Sequence, residues 1–235
     1  MDYERIRSFI LSYCKDDQGI LGRIYEKARQ DEVPIIRKEM RDFLRIMLEI
    51  SRPRNILEIG TAVGYSTLII ADKLLEIYNM DLADSKVLWH IDTYELDEKR
   101  VSEAASNIQK YMESVEQTSL RPDGGEYISI HQGDAASLLS KIDNKIYDLV
   151  FIDAAKAQYM NYMQEAIRLS HSGTIIITDN ILTDGEVLES HFLVEKRDRT
   201  IHDRMREYLY NIKNDERLDT AILSIADGVA VSIVR

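Results

Sequence analysis

Three oxygen-bearing side chains follow two apolar segments of this chain in a pattern that suits a hard metal ion. Asp153 comes directly after the run YDLVFI, and Asp179 and Asn180 come directly after TIIIT. If the runs are neighbouring parallel strands, their ends lie about 5 Å apart, so the three side chains can converge. Two carboxylates and one amide oxygen, completed by water and substrate oxygens, suit magnesium. The alternative is that the two aspartates only cap following helices, but capping does not require Asn180.

Lys156 is the candidate general base of this site. It stands three residues after Asp153, and a nearby cation lowers the pKa of an ammonium group. The alternative is a surface lysine on the first turn of a helix, where the helix dipole disfavours a positive charge. We favour the catalytic role.

A second group of candidates lies in the segment LEIGTAVGYS, which follows the first apolar run. Gly60 and Gly64 allow a tight turn and a close backbone approach to a ligand. Ala62 stands where a dinucleotide-binding loop has its second glycine, which favours a ligand without pyrophosphate and disfavours a dehydrogenase. Glu58 is an acid at the end of an apolar strand and needs a cation or a donor. The amino acid part of S-adenosylmethionine would satisfy it, although a purely structural strand–turn–helix remains the alternative.

The ends of the second and third predicted strands supply further cofactor candidates. Glu95 is placed to accept hydrogen bonds from two ribose hydroxyls. Asp92 and Asp97 compete for that role, but Asp92 lies inside the run and Asp97 already begins the next helix. Asp134 and Ala135, in QGDA, are candidates for flanking an adenine.

Hydrophobic patterning predicts the elements that position these residues. The first fifty residues are predicted to be helical, and from Met40 the apolar residues repeat with helical spacing. Strands are predicted in seven apolar runs: 55–60, 87–95, 127–135, 147–155, 174–180, 219–225 and 229–234. Five of them alternate with helices, as in a parallel sheet. The last two are joined by only three residues and should form an antiparallel hairpin.

The predicted fold is therefore α/β, a Rossmann-like seven-stranded methyltransferase sheet. It is mostly parallel with a C-terminal antiparallel hairpin, and helices cover both faces. We expect a single domain over residues 1–235, with residues 1–50 as a helical N-terminal extension. The polar stretches 74–87 and 112–127 are predicted to be long surface loops.

Composition limits the class of protein. The 235 residues have a net charge of -11, which argues against affinity for nucleic acid over the whole surface but allows a local basic patch. Cys14 is the single cysteine, so an internal disulfide is excluded. No run approaches the roughly 20 apolar residues of a membrane span. The segment MDYERIRSFILSYCKDD lacks a signal-peptide pattern, so we expect a cytoplasmic protein.

Together, LEIGTAVGYS, FIDAAKAQY and TDNIL resemble the metal-dependent catechol and caffeoyl-CoA class of O-methyltransferases. The resemblance implies a dimeric enzyme that uses S-adenosylmethionine and a divalent cation such as Mg²⁺. It implies that the metal ligands are Asp153, Asp179 and Asn180, and that the cofactor contacts are Ile36, Glu58, Gly60, Ser66, Glu95, Asp134, Ala135 and Asp153. The metal would bind two adjacent substrate oxygens, and the deprotonated oxygen would attack the sulfonium methyl in line. Three residues depart from the family pattern. Ala157 replaces the usual glycine, Ile36 stands where methionine is common, and Ser172 precedes a single glycine.

Within that family the chain resembles the bacterial tRNA 5-hydroxyuridine methyltransferases, through VPII, RDRTIHDRMREYLYNI and DTAILSIADGVAVSI. This predicts methylation at the tRNA wobble position, with the anticodon loop as partner. Two basic clusters are candidate phosphate contacts: Arg37, Lys38, Arg41 and Arg45, and Lys196, Arg197, Arg199, Arg204 and Arg206. The alternative is solvated helix faces, because acidic residues are interleaved.

Two other functions stay open. One is O-methylation of a small catechol or a coenzyme A ester, and the other is a non-catalytic nucleotide-binding protein on the same fold. His191 and His202 are interpreted as surface residues.

Overall fold

The seven strands of this chain form one sheet in the order β3-β2-β1-β4-β5-β7-β6. The computed structural model describes residues 3–79, 88–115, 126–143 and 145–235. The strands are β1 (Asn55–Ile59), β2 (His90–Glu95), β3 (Ile128–Gln132), β4 (Tyr147–Ile152), β5 (Ser170–Thr178), β6 (Leu218–Leu223) and β7 (Val229–Val234). Pairs β1–β4, β2–β3 and β4–β5 are parallel, whereas β5–β7 and β6–β7 are antiparallel. The predicted sheet with its C-terminal hairpin is confirmed.

Eight α-helices are present among the described residues. They are α1 (Tyr3–Leu11), α2 (Gly19–Gln30), α3 (Lys38–Ser51), α4 (Tyr65–Asn79), α5 (Glu98–Ser114), α6 (Ala135–Leu139), α7 (Tyr159–Arg168) and α8 (Arg199–Asn214). Two 3₁₀ segments, Lys156–Gln158 and Thr183–Leu188, follow β4 and β5. The first three helices lie within residues 3–51, the region for which helical structure was predicted. None of these helices has the length and apolar character needed to cross a bilayer.

The two predicted loops begin later than expected. Helix α4 runs to Asn79, and Leu74 and Leu75 are buried in it. Helix α5 runs to Ser114, with Met112 buried. The loop predictions are therefore wrong for residues 74–79 and 112–114, because apolar side chains there continue the packed stripe of each helix. The stretches 80–87 and 116–125 lie outside the described residues, as does Val87, the first residue of one predicted strand.

The chain divides into two compact units. The first contains residues 1–54 and 61–133, and the second contains 55–60 and 134–235. The expectation of a single domain over 1–235 stays a prediction. In the first unit, α3 packs on α4. Met40, Leu44 and Leu48 of α3 are fully buried at the predicted helical spacing.

The second unit is built on β1, β4 and β5, whose inner residues are almost completely buried. Leu149, Val150, Phe151 and Ile152 are all inaccessible to solvent. Such continuous burial is expected of a strand that is covered on both faces. Helix α8 contacts β6 and the two 3₁₀ segments that follow β4 and β5, so it supports both segments.

Candidate metal centre and cofactor residues

Strand register brings Asp153 and Asp179 to the same edge of the sheet. Ile152 at the end of β4 is paired with Thr178 at the end of β5. The Asp179 N–H donates to the Ile152 carbonyl at 2.9 Å. Each aspartate is therefore the first residue beyond its strand, and neighbouring strands lie about 5 Å apart.

Asn180 is held in an unusual conformation beside them. Its φ of 59° lies in the left-handed region, which asparagine tolerates better than most residues. Its N–H donates to Asp179 Oδ1 at 2.7 Å. Its own Oδ1 is buried, and no donor among the described residues reaches it. Such an acceptor costs about 1–3 kcal/mol unless a cation satisfies it, so the donor set fits a hard divalent metal.

The capping alternative does not account for Asp153. The 3₁₀ segment that follows it starts at Lys156, and its N-cap residue is Ala155, without a side-chain capping bond. Burial raises the pKa of the Asp153 carboxyl to about 6, against the opposing effect of the nearby Lys156 ammonium. Desolvation of this kind disfavours the charged form, and a bound cation would reverse it.

Asp227 is an acid near the centre that sequence reasoning missed. Its charge also raises the pKa of Asp153. It lies in the turn between β6 and β7, and its carbonyl accepts the Leu182 N–H at 2.9 Å. Because β7 runs antiparallel to β5, with Thr178 opposite Ala230, the hairpin turn returns to the edge where β5 ends. Predicting this required the strand order, which the sequence pattern leaves open.

Two buried tyrosines support the end of β5. The Tyr159 hydroxyl donates to the Asp179 carbonyl at 3.0 Å. Burial, and then the charges of Asp153 and Asp179, raise the pKa of Tyr159 well above its usual value. Tyr208 shares a 2.7 Å hydrogen bond with the Thr178 hydroxyl and packs edge-on against Tyr159 at 5.6 Å. The motif FIDAAKAQY ends at Tyr159, so the sequence contained a signal for this residue but no role.

Lys156 begins the 3₁₀ segment and is half-buried. Helix α8 reaches the same segment, where Arg204 donates to the Ala157 carbonyl at 3.3 Å. The Lys156 ammonium lowers the pKa of Asp153 and thus lies close enough to act electrostatically on this site. Its catalytic role stays a prediction.

The cofactor candidates of the second unit occupy strand exits and one helix start. Glu58 is completely buried in β1. Gly60 has a φ of 104°, and a Cβ there would lie 1.9 Å from the Asp153 carbonyl oxygen, so only glycine allows this close approach. Asp134 caps α6 by accepting from the Ser137 N–H at 3.0 Å, and Ala135 is buried.

The cofactor candidates of the first unit are also well ordered by their neighbours. Glu95 accepts the Ala62 N–H at 2.8 Å through Oε2 and the Asp97 N–H at 2.9 Å through Oε1. Its carboxylate therefore has a fixed orientation, with remaining lone pairs for other donors. Ile36 and Ser66 are buried.

The two competitors of Glu95 have other roles. Asp97 caps α5 through the Arg100 N–H at 2.9 Å, as predicted. Asp92 is buried and faces the ring nitrogens of His90 and His131 at 3.1 and 2.8 Å. Both carboxylates thus have partners within the chain, and the ribose-binding role of Glu95 stays a prediction.

Most of the basic residues proposed as phosphate contacts are engaged within the chain. Arg41 is buried and pairs with Asp17 and Asp42, and Arg45 pairs with Asp72 at 2.6 Å and Glu76 at 2.9 Å. Lys38 pairs with Asp16. In the second unit Arg197 pairs with Glu195 and Asp198, while Arg199 and Arg206 donate to backbone carbonyls. Phosphate binding by these groups would have to break or share existing bonds.

The interpretation of His202 as a surface residue is wrong. His202 retains 3% exposure, because it lies on the inner face of α8 with Met205, Tyr208 and Ile212. Its position is explained by the helical spacing of these four residues, which was obscured by the charged residues between them. His191 is half-exposed.

Comparison with known proteins agrees with this architecture. The sequence matches the O-methyltransferase family over residues 13–234. It is 29% identical over 201 residues to a catechol O-methyltransferase of Niastella koreensis, covering 82% of this chain and 79% of the relative. It is 28% identical over 195 residues to caffeoyl-CoA O-methyltransferase 1 of Arabidopsis thaliana, covering 80% and 67%.

A solved structure shows the same fold. It is the O-methyltransferase of Bacillus cereus in complex with SAH, with a TM-score of 0.76 and 24% identity, covering 98% of this chain and 97% of the other. Because the family match over residues 13–234 covers nearly the whole sequence, the predicted S-adenosylmethionine-dependent O-methyltransferase activity is confirmed as the class of reaction. The chain belongs to the O-methyltransferase family.

Proposed function

We propose that this enzyme transfers the methyl group of S-adenosylmethionine to one of two adjacent oxygens on a small catechol-like substrate, with help from a divalent cation. The observation that carries this proposal is the buried Oδ1 of Asn180, which has no donor among the described residues and follows directly after Asp179. Asp153, Asp179 and Asn180 would hold the cation, and their hard oxygens favour Mg²⁺.

When bound, the cation supplies a Lewis acid that lowers the pKa of a substrate hydroxyl. The chain's own residues do the rest. Tyr159 fixes the Asp179 backbone by its hydrogen bond to the carbonyl. Lys156, whose ammonium lies near enough to act on the charge of Asp153, would accept the substrate proton on its Nζ as the neutral amine, the form that a cation bound beside it would favour. Asp227 adds negative charge on the same side.

Residue types and orientation support S-adenosylmethionine as methyl donor. Glu58 is a fully buried acid that suits the cationic amino acid part. The carboxylate of Glu95 is oriented by two backbone N–H groups and suits ribose hydroxyls. Gly60 packs against the Asp153 carbonyl. Its contact with the cofactor stays a prediction, as do those of Ile36, Ser66, Asp134 and Ala135.

A small substrate is favoured over RNA by charge and pairing. The net charge of -11 opposes a polyanion, and Arg41 and Arg45 are each paired with two acids. Two of the relatives described above are enzymes named for catechol and caffeoyl-CoA. Methylation of wobble 5-hydroxyuridine, with its hydroxyl and neighbouring O4, remains the alternative prediction.

The test measures methyl transfer from labelled S-adenosylmethionine by the full chain, with a catechol panel in one arm and tRNA lacking the modification in the other. Each arm is run with Mg²⁺ and with a chelator. We expect Asp179→Asn to lower transfer and Mg²⁺ affinity on the order of 100-fold or more, because even residues that only orient metal ligands cost 10–100-fold. The control is Asp219→Asn, which removes an acid on β6 that pairs with Arg235.

Each result decides one part of the proposal. Transfer that survives the chelator, or an Asp179→Asn variant that behaves like Asp219→Asn, contradicts the metal centre. Transfer to tRNA but to no catechol contradicts the small-molecule substrate and supports wobble-uridine methylation. Binding of S-adenosylmethionine without any transfer supports the non-catalytic alternative.

A further inference from the structure

A second cluster of metal-ligating side chains lies at the start of α8 and uses none of the residues proposed for the magnesium centre. It consists of His191, His202 and Asp203, whose ligand atoms all lie within 4.8 Å of one another. Asp203 Oδ1 is 2.8 Å from His191 Nδ1 and 3.0 Å from His202 Nδ1. One carboxylate oxygen therefore faces two imidazole nitrogens at once.

The hydrogen bonds of His202 require a positive charge at this point. The ring is buried, and its Nε2 lies 3.1 Å from the Glu189 carbonyl while its Nδ1 faces Asp203. A neutral imidazole has one N–H. If that hydrogen is donated to the Glu189 carbonyl, the lone pair of Nδ1 points at the Asp203 carboxylate oxygen. Both of these atoms are then hydrogen-bond acceptors, and neither supplies a hydrogen.

An ionised carboxylate offers only acceptor atoms. Where the lone pair of His202 Nδ1 faces the Asp203 oxygen at 3.0 Å, the two groups therefore repel each other. This repulsion is relieved by a cation bound between the two rings and the carboxylate, or by a second proton on His202.

A bound metal would use all three groups together, whereas a second proton on His202 would engage only that ring and the carboxylate. His191 offers its Nδ1 to the same oxygen, and Phe192 packs edge-on against its ring at 5.6 Å. Two imidazoles and one carboxylate with an open side are a donor set typical of Zn²⁺. Zinc–nitrogen and zinc–oxygen bonds of about 2.0–2.2 Å need ligand atoms slightly farther apart than 2.8 and 3.0 Å, so adjustments of a few tenths of an ångström suffice. His191 and Asp203 are accessible enough to make them.

We infer that His191, His202 and Asp203 form a binding site for Zn²⁺ that joins the segment before α8 to the helix. Helix α8 also carries Tyr208, which bonds Thr178 next to Asp179, and Arg204, which bonds Ala157 next to Lys156. A metal that fixes the start of α8 would thus stabilise the helix that supports both candidate catalytic segments. It would be a structural site, separate from methyl transfer.

The test titrates Zn²⁺ into the full chain by calorimetry in the presence of excess Mg²⁺, which covers the oxygen-rich centre. Imidazole ¹⁵N chemical shifts are recorded in parallel, because they distinguish a protonated nitrogen from a metal-bound one. The variants are His191→Ala and Asp203→Asn, both partly exposed, so that folding is preserved. The control is His171→Asn, which removes a histidine that also pairs with an aspartate, Asp148.

The wild-type chain and His171→Asn should bind one equivalent of Zn²⁺ in the same way. His191→Ala and Asp203→Asn should lose more than about tenfold in affinity, the smallest cost expected even of an orienting neighbour. The nitrogen shifts of residues 191 and 202 should move to metal-bound values in the wild type. Equal Zn²⁺ affinity in all four proteins, or shifts of a protonated His202 that zinc leaves unchanged, would overturn the inference.

Discussion

The close approach of Gly60 to Asp153 gives a quantitative test of how the metal centre is built. A Cβ at position 60 would lie 1.9 Å from the Asp153 carbonyl oxygen and 2.7 Å from its carbonyl carbon. Real Cβ atoms essentially never approach closer than 3.0 Å, so the peptide of Asp153 must move by about 1 Å. Asp153 is also tied to β1 on its amide side, because its N–H donates to the Ile59 carbonyl at 2.9 Å.

The expected cost of Gly60→Ala is the sum of two effects. A left-handed backbone costs a residue with a Cβ about 1–2 kcal/mol. Forced displacement of packed backbone adds typically 1–3 kcal/mol. We therefore expect destabilisation of about 3–5 kcal/mol at the upper end of these ranges, against a typical total of about 5–15 kcal/mol.

Gly173→Ala is the matched control for backbone strain. Gly173 has a φ of 96°, but a Cβ there meets nothing within 4 Å. The Gly173→Ala variant should therefore lose only the part of the unfolding free energy that comes from backbone strain, about 1–2 kcal/mol.

The assay is urea unfolding. With a slope near 3 kcal/mol per molar urea, Gly60→Ala should lower the midpoint by roughly 1 M or more, and Gly173→Ala by less than about 0.7 M. Folded Gly60→Ala should also bind Mg²⁺ more weakly, because Asp153 is displaced. Equal midpoint shifts for the two variants would refute the reasoning.

Three further predictions concern the surrounding residues. Tyr208→Phe should lower the free energy of unfolding in urea by about 1–3 kcal/mol, since it leaves the buried Thr178 hydroxyl without its 2.7 Å partner. The double variant with Thr178→Val should lose less than the sum of the two single losses. The hydrogen bond to Asp148 raises the pKa of His171, so its stabilisation is complete below about pH 6.5 and lost as pH rises through the folded pKa. His171→Asn should therefore flatten the dependence of unfolding free energy on pH above pH 6.5. An unchanged dependence would show that the His171–Asp148 pair does not cause it. Lys156→Met should lower kcat by about 100-fold or more with unchanged S-adenosylmethionine affinity, and single-turnover transfer that persists would rule out the base.

The homodimer implied by the resemblance and the cytoplasmic location stay predictions. Light scattering of the purified chain tests the first. Fractionation of cells tests the second.

Much of the fold was predictable because its signals are local. Apolar runs without alternation indicated buried parallel strands, and the three-residue link at 226–228 indicated the hairpin. The helix ends at Asn79 and Ser114 were missed because polar residues masked the continuing stripe of buried ones. In the same way, the charged neighbours of His202 concealed that it faces inward.

The sequence by itself determined which residues leave the strands, because strand ends and glycine turns are written in short runs of chain. It thus indicated that Asp153, Asp179 and Asn180 follow neighbouring strands, and it predicted Glu95 rather than Asp97 as the ribose ligand. Only the tertiary structure decided what surrounds them. Asp227 comes close to Asp153 because β7 returns antiparallel to β5. Arg41 and Arg45 pair with acids that are distant along the chain. Contacts between residues far apart in sequence depend on strand order and helix packing, which no local pattern encodes.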